Sequence, residues 1–166
     1  MKQQSNRLKK AAAILILVVA AALLIGTFTR PGSLVLKNGT TGEVYARYPT
    51  REGEGFSVGF IHSVNKSPVT DEYEIRNGQI TVVRTIYYGF GAGVQTQIEE
   101  GQTLTYGEDG SMIVSGFDTP MPNLQYIVGT VSDHILTVNG EEISLRDLCG
   151  RNSLVRFVYE APWPRR

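Results

Sequence analysis

The chain has 166 residues, with 16 Lys+Arg and 16 Asp+Glu, so its formal net charge is zero. A hydrophobic content of 42% is enough for a core and excludes global disorder, while 19% charged residues and 18 glycines exclude a coiled coil or helix bundle and suit a turn-rich β protein. A single Cys excludes an internal disulfide and any multi-cysteine zinc site.

The zero charge sums two unequal parts. Through Arg30 the chain carries Lys2, Arg7, Lys9, Lys10 and Arg30 and no acid. The remainder has 11 basic residues (16 less those five) against 16 acidic ones, a net of −5. Residues 11–29 read AAAILILVVAAALLIGTFT, with no charge. Nineteen helical residues span about 28 Å, close to the ~30 Å of a bilayer core, and no polar stripe marks a soluble helix.

The segment reads as an uncleaved signal anchor. A cleaved signal peptide has a shorter apolar core and a small-x-small site, which is missing here, and no Cys ends the run to carry a lipid. Positive residues before it place residues 1–10 in the cytoplasm and the rest outside, at the cell membrane in a single pass. The bilayer is thus an expected partner through 11–29. Residues 30–33 read as a linker, 34–160 as one extracytoplasmic domain and 161–166 as a tail. An anionic outer domain excludes nucleic acid.

Within that domain Asn38-Gly39, Asn77-Gly78, Asp109-Gly110 and Asn139-Gly140 each separate strand-like runs, the signature of two-residue type I′ hairpins. Further strands are predicted at 55–62, 125–131 and 154–160, and a short helical turn at 144–149. Along 69–75, Val69, Tyr73 and Ile75 share one face and Thr70, Glu72 and Glu74 the other. The expected fold is all-β: an antiparallel β-sandwich or small barrel of about nine or ten short strands, preceded by one N-terminal transmembrane helix. Cys149 reads as a small core residue, and His134 as a surface or packed strand residue.

Two stretches stand out. Phe60 to Tyr73 gathers His62, Ser63, Asn65, Lys66, Asp71 and Glu72 between two strand candidates, where a His and a carboxylate at neighbouring strand ends could hydrogen-bond. Tyr87-Tyr88-Gly89-Phe90-Gly91-Ala92-Gly93 places glycines at alternate positions, a face that lets a ligand or backbone approach closely. The candidate ligand- or partner-binding residues are therefore His62, Ser63, Glu72, Tyr88, Gly91 and Gly93. No G-x-S-x-G elbow, H-x-H or H-E-x-x-H pattern is present, so no catalytic residue, metal or cofactor is expected.

The F-I-H-S-V run at 60–64, the P-V-x-x-E run from Pro68 to Glu72, the F-G-A-G-V run at 90–94 and the L-T-V strand at 136–138 resemble the bacterial DUF1850 family, over roughly residues 33–160. The resemblance implies a small anchored or exported protein, often encoded beside TAXI-type TRAP transporters, and so an accessory to solute uptake with the transporter or its solute-binding protein as partner. Many members carry an acid after S-V, where this chain has Asn65. Two rivals remain: an extracytoplasmic hydrolase using His62 with Asp71 or Glu72, and a structural envelope protein.

Overall fold

The structure is a computed structural model and describes residues 14–19, 31–89 and 98–162. The chain divides into two units, Met1–Pro31 with Pro162–Arg166, and Gly32–Ala161. Of the first, residues 14–19 are helical, with every side chain from Ile14 to Val19 exposed. Most of the expected anchor at 11–29 lies outside the described residues. No helix among the described residues is long and apolar enough to cross a membrane.

The described residues of the second unit form eleven strands and one short helix, more strands than the nine or ten expected. In chain order they are β1 (Gly32–Asn38), β2 (Val44–Thr50), β3 (Gly55–Ile61), β4 (Pro68–Arg76), β5 (Gln79–Tyr87), β6 (Thr103–Tyr106), β7 (Met112–Pro120), β8 (Gln125–Ile127), β9 (His134–Val138), β10 (Glu141–Ser144), α1 (Leu145–Cys149) and β11 (Leu154–Glu160). They form two antiparallel sheets, β2-β1-β11-β8 and β10-β9-β3-β4-β5-β7-β6, and not one closed ladder.

Alternation supplies one shared core. Leu34 and Leu36 of β1 and Val155 and Phe157 of β11 meet Phe56 and Val58 of β3, Tyr73 and Ile75 of β4, and Leu136 and Val138 of β9. Phe56 stacks on Tyr73 at 5.0 Å and on Phe157 at 5.7 Å, which ties the sheets together through aromatic rings. Each fully buried side chain of this kind stabilises the fold by ~1.5–3 kcal/mol.

The turns sort by backbone angle. Asn77 and Gly78 have φ of 52° and 71°, and Asn139 and Gly140 have 54° and 79°, so these two hairpins are the expected type I′. The other two are not. At 107–111 only Gly110 has positive φ, and the Gly107 N–H donates to the Ser111 carbonyl across a longer loop. After β1 the positive φ falls at Gly42, because Asn38 Oδ1 accepts from the Thr40 and Thr41 N–H groups and folds the chain into a wider turn.

The strand expected at 125–131 ends at Ile127. Beyond it, Val128 exchanges backbone bonds with Ser153 and Asn152, and the Arg146 guanidinium donates to the carbonyls of Gly129 and Val131. A side chain takes the place of a neighbouring strand, so 128–133 is a loop. The helical turn forms as predicted, with Ser144 Oγ accepting from the Asp147 N–H at its N-cap.

Candidate functional site

Strands β3 and β4 pair antiparallel, with Ile61 opposite Pro68, so residues 62–67 form the turn between them. The His62 N–H donates to the Ser67 carbonyl at 2.9 Å, and Lys66 returns its N–H to the His62 carbonyl at 3.0 Å. The His62 ring bends back over this turn. Its Nδ1 accepts long bonds from the N–H groups of Val64 (3.3 Å) and Asn65 (3.4 Å). Lys66 stands at φ 56°, a left-handed position that sharpens the turn.

The loop 128–133 faces this turn. Phe60 and His134 are opposed across β3 and β9, and their rings stack at 5.2 Å. His134 Nδ1 accepts from the Gly129 N–H at 3.2 Å. Burial is the main force holding His134 below its ordinary pKa, with the nearby Arg146 adding to it and Asp133 opposing it. Asp133 staples the loop to α1: its carboxylate accepts from Ser144 Oγ and from the N–H groups of His134 and Arg146. Burial works against its charge, but those hydrogen bonds outweigh burial and hold the carboxyl below its usual value.

Between turn and loop lies a cleft of about 520 Å³. His62, Ser63 and Lys66 line one wall, Ile127 and Gly129 to Ser132 the other, and Phe60 and His134 the floor. Val131 is 91% exposed and Ile127 63%. Exposed branched apolar side chains at a strand end and on the loop that follows, next to polar groups, are what a binding edge offers. The cleft sits at one end of the domain. Ser33 at the start of β1 pairs with Glu160, whereas Asn38 pairs with Val155 and Ile127 with Leu154, so Gly32 and the cleft are at opposite ends of the four-stranded sheet.

Beneath the floor runs a partly buried polar chain. Asp71 shares the core face of β4 with Val69 and Tyr73, as strand alternation requires. The Tyr126 hydroxyl donates to Asp71 Oδ2 at 2.8 Å, and Thr85 Oγ1 donates to Oδ1 at 2.9 Å. The hydroxyls of Tyr73 and Tyr126 meet at 2.5 Å. Burial first, then the Asp71 charge, raises both tyrosines well above the ordinary phenol value. The Tyr126 ring packs against Phe60, His134 and Phe157.

The sequence-predicted site residues therefore divide. His62 and Ser63 share the cleft. Glu72 does not join them: it lies opposite Ser57, on the face of β4 away from Asp71, and pairs with Arg84 at 2.5 Å. Tyr88 is half-exposed just past β5, its N–H donating to the Pro68 carbonyl, beside the turn but not in the cleft lining. Gly91 and Gly93 lie outside the described residues. Neither carboxylate of the expected hydrolase pair bonds to His62, since Asp71 is engaged by Tyr126 and Thr85 and Glu72 by Arg84. Asp71 also stands three residues along β4 from Pro68, ~10 Å of strand. No group of three or more potential metal ligands is found among the described residues.

Sequence reasoning set Lys66 in the same polar stretch as His62 without naming it a site residue, and missed Ile127, Val131 and His134 as partners of His62. Val131, an isolated aliphatic residue among Gly129, Thr130 and Ser132, was the one local signal of an exposed apolar tip.

The fold and cleft define a two-sheet antiparallel β-domain with an open, donor-lined cleft at one end. Residues 56–145, more than half of the chain, match the model for Domain of unknown function (DUF1850), and the chain belongs to that family. No curated protein and no solved structure matches it.

Proposed function

We propose that this is a non-enzymatic binding module, anchored in the membrane through 11–29 and displayed on its outer side. Its two sheets stack as a β-sandwich that carries binding loops at one end. In this reading it serves as an accessory to solute uptake, in contact with a TAXI-type TRAP transporter or its solute-binding protein. The observation that carries the binding role is the cleft itself, where Val131 and Ile127 stand exposed beside the unspent polar groups of His62 and Lys66. Its position at the end opposite Gly32 leaves it clear of the point where the chain enters the domain.

The binding residues in this reading are His62, Ser63, Lys66, Ile127, Val131 and His134. The test is co-purification of transporter components with the full-length protein from detergent-solubilised membranes. Val131→Asp, at an exposed tip with no packing to lose, is expected to abolish it. Glu72→Ala, on the far face of the sheet, is expected to leave it intact. Equal recovery with wild type and Val131→Asp would defeat the assignment.

A further inference from the structure

The geometry points to a carboxylate carried on an apolar body as the ligand of the cleft, an inference that rests on the binding reading above. The first observation is charge. The lining contains Lys66 and two histidines and no Asp or Glu. Lys66 makes no ion pair among the described residues. In a domain where acids outnumber bases, an acid-free concavity with an unpaired lysine is a local reversal of sign, suited to an anion.

The second observation is tautomer. Backbone N–H groups donate to Nδ1 of both rings, from Val64 and Asn65 to His62 and from Gly129 to His134. Each neutral imidazole therefore carries its proton on Nε2. No partner engages either Nε2 among the described residues. Two N–H donors and an ammonium thus border one space with no acceptor among the described residues.

The third is shape. The stacked Phe60–His134 floor and the Ile61, Ile127 and Val131 side chains give an apolar surface that a bare ion would leave unused. A phosphate group would call for arginines or a cradle of backbone N–H groups, but the lining holds no arginine, and Arg146 beside it is turned to the carbonyls of Gly129 and Val131. Two carboxylate oxygens suit this donor set, and ~520 Å³ accommodates a small body behind them. A free organic acid and the C-terminus of a partner chain share this chemistry.

The experiment uses the full chain in detergent, titrated with benzoate, its neutral isostere benzamide, and inorganic phosphate, while NMR follows the histidine Cε1–H signals. Benzoate is expected to move both histidine signals and to bind at least ~10-fold more tightly than benzamide or phosphate. Lys66→Asn removes the charge with a residue that tolerates positive φ, and is expected to weaken benzoate ~10-fold without changing benzamide. His62→Asn keeps an acceptor for the turn N–H groups and loses the Nε2 donor, so it too is expected to weaken benzoate alone. A short apolar peptide with a free C-terminus, set against its amidated form, separates the sources. Preference for that peptide over benzoate assigns a partner's C-terminus, and the reverse assigns a free acid.

Benzamide binding as well as benzoate, or Lys66→Asn binding benzoate like wild type, would overturn the anion assignment and leave the cleft a binding site. Failure of every probe to move either histidine overturns it as well. If Val131→Asp then also retains transporter components, the binding reading falls with it.

Discussion

Tyr73 of β4 and Tyr126 of β8 join their hydroxyls at 2.5 Å across the two sheets, and Tyr126 spends its own proton on Asp71. Tyr73 is then the donor to Tyr126. Removing the Tyr126 hydroxyl leaves the half-buried Asp71 Oδ2 without its donor and Tyr73 without its acceptor. Tyr126→Phe keeps every ring contact, so the loss is the polar chain alone, about 1–3 kcal/mol. Tyr73→Phe leaves the Tyr126–Asp71 bond standing and costs less, about 0.5–1.5 kcal/mol. Urea unfolding of both variants and of the double variant checks this, and the cycle is expected to show non-additive losses.

Acid acts on His134 first and Asp133 second. The folded state holds His134 below its ordinary 6.5, so the unfolded chain takes up that proton more readily. Stability is full above pH 6.5 and falls as pH drops from there to the folded value. Asp133 is held below its ordinary 3.8, and its contribution is lost as pH falls from about 4 downward. Urea midpoints measured from pH 8 to pH 3 should show two descending limbs. His134→Asn, which retains an acceptor for the Gly129 N–H, should flatten the upper limb and leave the lower one.

Gly129 has no room for a side chain, since a Cβ there would run into the backbone carbonyl oxygen of Ser132. Backbone cannot yield as a flexible side chain can. Gly129→Ala is therefore expected to displace the 128–133 loop and to cost more than ~2 kcal/mol. Gly78→Ala provides the contrast: nothing stands near its Cβ, and only the φ of 71° is strained, a cost of ~1 kcal/mol. Thermal unfolding compares stability, and the His134 NMR signal reports loop position in each variant.

Burial pushes the Cys149 thiol up to about 11. Thiolate is the reactive form, so at pH 7.5 the native protein should react with an aromatic disulfide reagent far more slowly than a free thiol. Reactivity should appear in urea along the unfolding transition. Fast labelling of the folded protein would contradict the packing of Cys149 against the core.

Local signals carried a long way in this chain. Asn77-Gly78 and Asn139-Gly140 set their turns by themselves, because the φ values they need are cheap for those two residues and nothing distant has to agree. Ser144 opens α1 by the same kind of short-range bond. Alternation along β4 was readable too, with Val69, Tyr73 and Ile75 on one face and Thr70, Glu72 and Glu74 on the other, and Asp71 falls on the first of these. Asn38-Gly39 misled because a side-chain acceptor, Asn38 Oδ1, competed with the hairpin and won a wider loop.

Sequence by itself determined that the domain is β, that Asn77-Gly78 and Asn139-Gly140 make tight turns, and that His62 lies in a polar turn between paired strands. Each of those rests on interactions spanning a few residues. Tertiary structure alone decided that β1 pairs with β11, that β3 lies between β4 and β9, and that Tyr126 reaches Asp71 from fifty-five positions away. It also decided that His62 faces His134 and Val131 instead of Asp71 or Glu72. The reason is that strand order is chosen by burying one shared core, a sum over the whole chain that no local window contains, and the cleft is made where two distant loops meet at the edge of that core.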